Sequence, residues 1–231
     1  MASPFFFEEN LPVSQNFILS EETSKHVSQV LRMKEGEEIR ITNGKGYTKI
    51  AKIILPDKKK TKVETIGQQF TEPQRPEITI AISLIKNTSR FEWFVEKAAE
   101  IGVSAIIPLI CKRSEKTHFR IERIRSILIS AMLQSQQSWL TKISEPVKFS
   151  DIIKNENQEQ KFIAHCLPYE KKELKDASIK TNSKIILIGP EGDFTEEEIQ
   201  HALQEGYLPV SLGDTRLRTE TAGMVAAVLL K

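Results

Sequence analysis

The sequence predicts an α/β fold with a mostly parallel sheet, preceded by a small β-rich module. Three observations predict it. From Ile78 onward, short β-branched runs alternate with helical patterns, which is the signature of strands joined by crossover helices. Two of those helical patterns open on capping signals, at Ser89 and at Thr195. Before Ile78, by contrast, strand patterns follow one another with only turns between them.

Taken in order, "SEETSKHVSQVLR" (Ser20 to Arg32) reads as a helix with Ser20 as N-cap and acids in its first turn. "EEIRIT" alternates, "NGKG" turns, "YTKIAKIIL" alternates again, "PDKKK" turns, and "TKVETI" supplies a third strand. These patterns place a β-barrel-like module over residues 1–70. "GQQFTEPQRPE", Gly67 to Glu77, has two prolines and no apolar period, so it reads as the linker to a second domain over 71–231. There, strand runs are expected at Ile78–Ile85, Val103–Cys111, Lys161–Cys166, Lys184–Ile188 and Tyr207–Leu212. In "SRFEWFVEKAAEIG", Ser89 and Glu92 form the expected capping box, and Phe91, Phe94, Val95, Ala98 and Ala99 form one apolar stripe. "TEEEIQHALQEG" repeats the device with Thr195 and Glu198, closed by Gly206.

Composition narrows the function. The 231 residues are 39% hydrophobic and 28% charged with a net charge of +2, enough apolar content for a core and too little basicity to declare a nucleic-acid binder from charge alone. Cys111 and Cys166 lack CxxC partners and sit in apolar runs, so both are expected to be buried and reduced, as in a cytoplasmic protein. "MASPFFFEENLP" lacks a signal-peptide pattern and no apolar run is long enough to span a bilayer, so no membrane association is expected. The four histidines have no metal-ligand spacing, and no metal is expected; His165, at a strand exit, is the one with a place near a site.

Ligands of open α/β sheets bind beyond the carboxyl ends of strands, so the strand exits are where a site is expected. Three are unusual: "KFIAHC" into "LPY", "KIILI" into "GPEGDF", and "YLPVSL" into "GDTRLRTETA". Gly189 and Gly192 permit close backbone approach and φ values other residues avoid, while Glu191 and Asp193 favour a neutral or cationic ligand over a phosphate. Alone, "GPEG" also fits a plain strand–turn–helix connection. Arg216 and Arg218 are two apart and would project to one side of an extended segment, with Leu217 on the other. A solvated loop capped by Thr219 would explain Thr219 and Glu220 but not paired arginines beside a very apolar helix. A basic cluster, Lys112 to Arg125, lies on a helix whose stripe is Ile121, Ile124, Leu128 and Ala131; it fits phosphate contacts or a solvated face. No GxGxxG, P-loop or nucleophile elbow is present, which disfavours a nucleotide-binding hydrolase.

Together, "LIGPEGDFTEEEI" and "VSLGDTRLRTETA" resemble the signature of the RsmE-type ribosomal RNA uridine methyltransferases of the SPOUT superfamily. "EKAAEIGVSAIIPLICKRSEK" resembles another block of that family, and "HVSQVLRMKEGEEI" its N-terminal PUA-like module. The resemblance implies a trefoil-knotted methyltransferase domain, S-adenosylmethionine as methyl donor, a homodimer with the active site near its interface, and N3-methyluridine in 16S ribosomal RNA or the small-subunit particle as product. Carried onto this sequence, it implies cofactor contacts at Leu187, Ile188, Gly189, Glu191, Gly192, Leu212, Gly213, Leu217, Arg218, Glu220, Thr221 and Ala222, and a third wall at His165, Cys166 and Leu167. Arg218 would stabilise charge on the base, and Glu191 or Glu220 would orient the base or accept its proton. Lys86, Arg90, Arg113, Lys116, Arg120 and Arg216 would contact RNA. The chain departs from the family at Asp193, where glycine is usual, and at Leu133, where glutamate is common before Gln134 and Ser135; a basic residue often found shortly after that pair is not evident. Other readings are a related knotted methyltransferase acting on transfer RNA or another ribosomal position, and a non-catalytic RNA-binding or assembly factor.

Overall fold

The alternating patterns that begin at Glu37 become three strands of a five-stranded sheet. The computed structural model describes residues 3–168 and 170–231. The chain divides into two units, Met1–Pro73 with Met132–Leu140, and Gln74–Ala131 with Thr141–Lys231. In the first, β1 (Phe5–Phe7), β2 (Asn16–Ile18), β3 (Glu38–Thr42), β4 (Tyr47–Leu55) and β5 (Lys62–Phe70) pair in the order β1-β3-β4-β5-β2. Phe6, Phe17, Ile39, Ile41, Ile53 and Val63 supply its core. The first two strands carry no three-residue signal strong enough to announce them. β5 runs on through "GQQF", which reads as linker in sequence, because pairing with β4 satisfies its backbone up to Phe70 opposite Tyr47. Ser20 caps α1 (Glu21–Lys25) by accepting from the Thr23 amide at 3.3 Å, and the helix continues as a π-helical turn over His26–Val30.

The "NGKG" turn is held against Met132–Leu140. Gly46 donates to the Ser138 carbonyl and Leu140 to the Gly44 carbonyl, both at 2.9 Å. A Cβ on Gly46 would lie 2.7 Å from the Thr71 carbonyl oxygen and 2.8 Å from the Trp139 ring, so only glycine fits this turn.

The second unit is built on an eight-stranded sheet whose named pairings are all parallel. Its strands are β6 (Ile78–Ser83), β7 (Ala105–Ile110), β8 (Lys142–Ile143), β9 (Val147–Lys148), β10 (Gln160–Ala164), β11 (Lys172–Glu173), β12 (Lys184–Ile188) and β13 (Leu208–Ser211). The order is β11-β13-β10-β12-β6-β7-β8, with β9 also on β7. Every residue of β6 and β12 is buried, as expected of strands covered on both faces. Ala81, Ile185 and Leu187 face a core shared with α4 (Phe149–Asn155) and α6 (Glu196–Gln204). The opposite side carries α2 (Thr88–Ile101) and α7 (Thr219–Leu230), which pack on each other, with α7 also on β6 and β12. The α2 stripe Phe91, Phe94, Val95, Ala98 and Ala99 is buried as its spacing predicts. The remaining helices are α3 (Ile121–Gln134) and α5 (Leu174–Ala177).

One of the two expected capping boxes departs from expectation. Ser89 is not the cap of α2: Asn87 precedes it and accepts from the Arg90 amide at 3.3 Å, which leaves Glu92 to pair with Arg123 at 3.0 Å. At α6 the capping box of Thr195 and Glu198 forms as read, and Gly206 follows it at φ +83°.

Candidate functional site

Strand order decides which exits can meet. β13, β10 and β12 are neighbours and parallel, so their carboxyl ends open on the same edge of the sheet. The three unusual exits of the sequence therefore converge, and they enclose a cavity of about 720 Å³. Ala164, His165, Cys166 and Lys171 form one wall; Ile188, Gly189, Pro190, Glu191 and Asp193 form the second. The third is Val210 through Arg218, closed by Thr219 and Ala222 at the start of α7.

The loops are held together by groups that face one another's backbones. Thr219 does not cap α7; Arg218 is the N-cap residue, without a side-chain hydrogen bond, and the buried Thr219 hydroxyl donates to the Gly189 carbonyl at 3.0 Å. This single bond joins the "GPEG" and "RLRTETA" loops. Arg113, read as an RNA contact, donates through its guanidinium to the Gly192 carbonyl at 2.7 Å. Glu198 accepts from the Thr195 amide at 2.9 Å and from the Lys112 amide at 2.8 Å, tying the β7 exit to the start of α6. Buried beside it, Cys111 has its thiol pushed up to about 12 by burial and then by the Glu198 carboxylate, so it stays a protonated, unreactive core group.

Gly189 and Gly192 serve close approach, not unusual φ. A Cβ on Gly189 would meet the Phe194 ring at 3.1 Å, and one on Gly192 would meet the Arg113 Cδ at 3.3 Å. The left-handed residue of this loop is Asp193, at φ +64°.

Of the expected cofactor contacts, Ile188, Gly189, Glu191, Leu212, Gly213, Leu217, Arg218 and Ala222 line the cavity, as do His165 and Cys166. Leu187 and Leu167 do not: Leu187 is fully buried in the sheet core, one residue out of phase with Ile188, and Leu167 packs against that core. Gly192 and Thr221 stand outside the lining. Glu220 is also outside it; its carboxylate is 9% exposed and pairs with the Arg90 guanidinium at 3.7 Å. Arg216, Leu217 and Arg218 all border the cavity, so the segment does not sort them onto opposite sides as an extended strand would.

Cys166 is exposed, against the expectation of burial, because it lies two residues beyond the end of β10 at the cavity wall. His165 is buried, and burial, then the nearby Lys171, lower its pKa below the usual histidine value, favouring the neutral ring at pH 7. Lys171, Ala164, Pro190, Asp193, Val210, Ser211, Asp214, Thr215 and Thr219 complete the lining. Asp214 and Thr215 lay within the conspicuous exit segment, whereas nothing in the sequence pointed to Lys171.

The other basic candidates gather at the neighbouring exits of β6 and β7. Lys86 pairs with Glu115 at 3.1 Å and Lys116 donates to the Thr88 hydroxyl at 2.7 Å. Arg120 is exposed just before α3. Among the described residues, no cluster of histidine, cysteine or carboxylate side chains is arranged to hold a metal, and no helix is long and apolar enough to cross a membrane.

Comparison with known proteins agrees with this architecture. A family model described as an RNA methyltransferase domain matches residues 71–231, and one described as an RNA methyltransferase PUA domain matches residues 19–66. The ribosomal RNA small subunit methyltransferase E of Buchnera aphidicola is 31% identical over 98% of this chain and 91% of its own length. The crystal structure of a probable rRNA-methyltransferase from Porphyromonas gingivalis superposes with a TM-score of 0.91 at 36% identity, covering 97% of this chain and 95% of that one. That of a ribosomal RNA small subunit methyltransferase E from Neisseria gonorrhoeae, bound to S-adenosyl methionine, gives 0.86 at 29% identity, covering 98% and 96%. On the family model and the extent of these likenesses, the chain belongs to the RNA methyltransferase family, in its ribosomal RNA small subunit methyltransferase E branch.

Proposed function

We propose that this protein transfers a methyl group from S-adenosylmethionine to N3 of a uridine in 16S ribosomal RNA. The observation that carries the reading is the cavity formed by three adjacent strand exits, in a chain whose relative of closely similar structure holds that cofactor. The residues present suit the ligand. The volume falls in the range of cofactor pockets, Ile188, Val210 and Leu217 offer apolar walls, and Glu191 and Asp214 offset the charge of Arg216 and Arg218, so a cationic guest is tolerated.

Bound there, S-adenosylmethionine supplies an electrophilic methyl group. The chain's task is to present a nucleophile to it. Uridine N3 attacks poorly while protonated, and its negative charge after deprotonation spreads onto the flanking carbonyl oxygens. Arg218 borders the cavity and, among the described residues, its guanidinium has no hydrogen bond or ion pair, which suits it to that charge. Glu191 also borders the cavity with an exposed side chain, whereas Glu220 is engaged by Arg90; this favours Glu191 as the group that orients the base or takes its proton. Arg216, with Lys86, Lys116 and Arg120 at the neighbouring exits, would hold phosphates, a contribution that weakens with salt.

The same reading makes residues 1–70 a PUA-like RNA-docking domain and 71–231 a trefoil-knotted catalytic domain acting in the cytoplasm. A homodimer with the active site near its interface belongs to the same reading. Incubation with labelled S-adenosylmethionine and small-subunit RNA or particles should place label in the RNA. Absence of label from both substrates would overturn the reading.

A further inference from the structure

Asp193 makes three backbone hydrogen bonds from a conformation that favours glycine. Its amide donates to the Pro190 carbonyl at 2.9 Å, closing the "PEGD" turn, and its φ is +64°. One carboxylate oxygen, Oδ1, accepts from the Phe194 amide at 2.8 Å. The other, Oδ2, accepts from the Cys166 amide at 2.8 Å, across to the exit of β10. The same exit is held from its other side by Lys171, whose ammonium donates to the carbonyls of His165 and Leu167, each at 2.8 Å. An anion thus takes the wall's amide and a cation its carbonyls, and both side chains line the cavity.

We infer that Asp193 is a positioning residue: a latch that fixes the main-chain wall at His165 and Cys166 against the "GPEG" loop, and so presets the width of the cofactor cavity. The inference rests on the cofactor reading given above. It explains why a carboxylate occupies a left-handed position at all. Aspartate tolerates that conformation at some cost in backbone strain. Glycine would relieve that strain but release the β10 exit, which would then have to be ordered each time the ligand binds.

The test is calorimetric titration of the full-length protein with S-adenosylmethionine, alongside thermal unfolding. Asp193→Gly loses both carboxylate hydrogen bonds. With the bond to the Cys166 amide gone it should bind about tenfold more weakly, while relief of the left-handed strain offsets the lost bonds and leaves the Tm little changed. Asp193→Asn keeps one acceptor but turns an amide N–H₂ toward the second donor, so its affinity should fall between the two; it also carries the test should the glycine variant not fold. In turnover, KM for the cofactor should rise in Asp193→Gly while kcat changes less. Equal affinity of variant and unaltered protein would overturn the latch, as would an affinity loss matched by a fall in Tm. If the unaltered protein does not bind the cofactor, the functional reading falls and the latch with it.

Discussion

Replacing Arg218 with alanine should leave S-adenosylmethionine binding intact and lower methyl transfer by roughly 10²–10³-fold, the usual consequence of removing one donor aimed at developing charge. The separation of the two effects follows from where Arg218 sits. Its backbone is extended, with φ −71° and ψ 155°, a conformation alanine adopts freely. Its guanidinium holds no part of the loop in place, because the joint to the "GPEG" loop is made by the next residue, Thr219. Substitution therefore removes a cation from the cavity edge without loosening its walls. Calorimetry and single-turnover transfer measured on one preparation separate binding from chemistry. Unchanged transfer would remove Arg218 from the mechanism and leave charge stabilisation to Arg216 or to the cofactor's own cation.

A large loss of stability is expected at Gly223. A Cβ added there would lie 2.6 Å from Cε2 of Phe94 and 2.9 Å from Cδ1 of Ile82. Both neighbours are buried in the layer between α2, α7 and β6, so neither can swing aside. Gly223→Ala gains about 1 kcal/mol in helix propensity. Overpacking costs about 1–3 kcal/mol in a core of this density, and contacts this short belong at the upper end. The net expectation is a loss of about 2 kcal/mol, seen as a Tm lowered by roughly 4–8 °C for a chain of this size. Because α7 opens at the cavity, the displaced helix should also weaken cofactor binding. A variant as stable as the unaltered protein would mean that α7 shifts outward without cost.

The fold was legible wherever the chain had to bury a continuous face. β12 occupies the residues its apolar run predicts, and β4 spans the whole of "YTKIAKIIL". The buried stripes of α2 and the capping box of α6 also follow from spacing alone. What escaped was decided by partners distant in sequence. β1 and β2 are three residues each and exist because β3 and β5 pair with them. "GQQF" is a strand because β4 continues alongside it. Ser89 looked like a cap, but Asn87 lies earlier and takes the role.

The candidate site divides in the same way. Its three exit loops were readable from glycine, proline and charge at strand ends, and parallel strand order then brings them together. Individual side-chain tasks were not readable. Arg113 appeared as one more surface cation in a basic run, yet its guanidinium meets the Gly192 carbonyl. Glu220 appeared beside the reacting groups, yet it faces Arg90. Asp193 appeared as an acid facing the ligand and as a substitution for glycine, although its carboxylate joins two exits. In each case the partner is a side chain or main-chain group many residues away, which periodicity does not encode.

The central claim is methyl transfer to uridine N3 in small-subunit RNA, and nucleoside mass spectrometry of that RNA tests it most directly. After incubation with the protein and S-adenosylmethionine, N3-methyluridine should appear in 16S RNA, supplied free or as assembled particles, and should be nearly absent with Arg218→Ala. A methyl group on another base or on a ribose, or none in either substrate, would contradict the account.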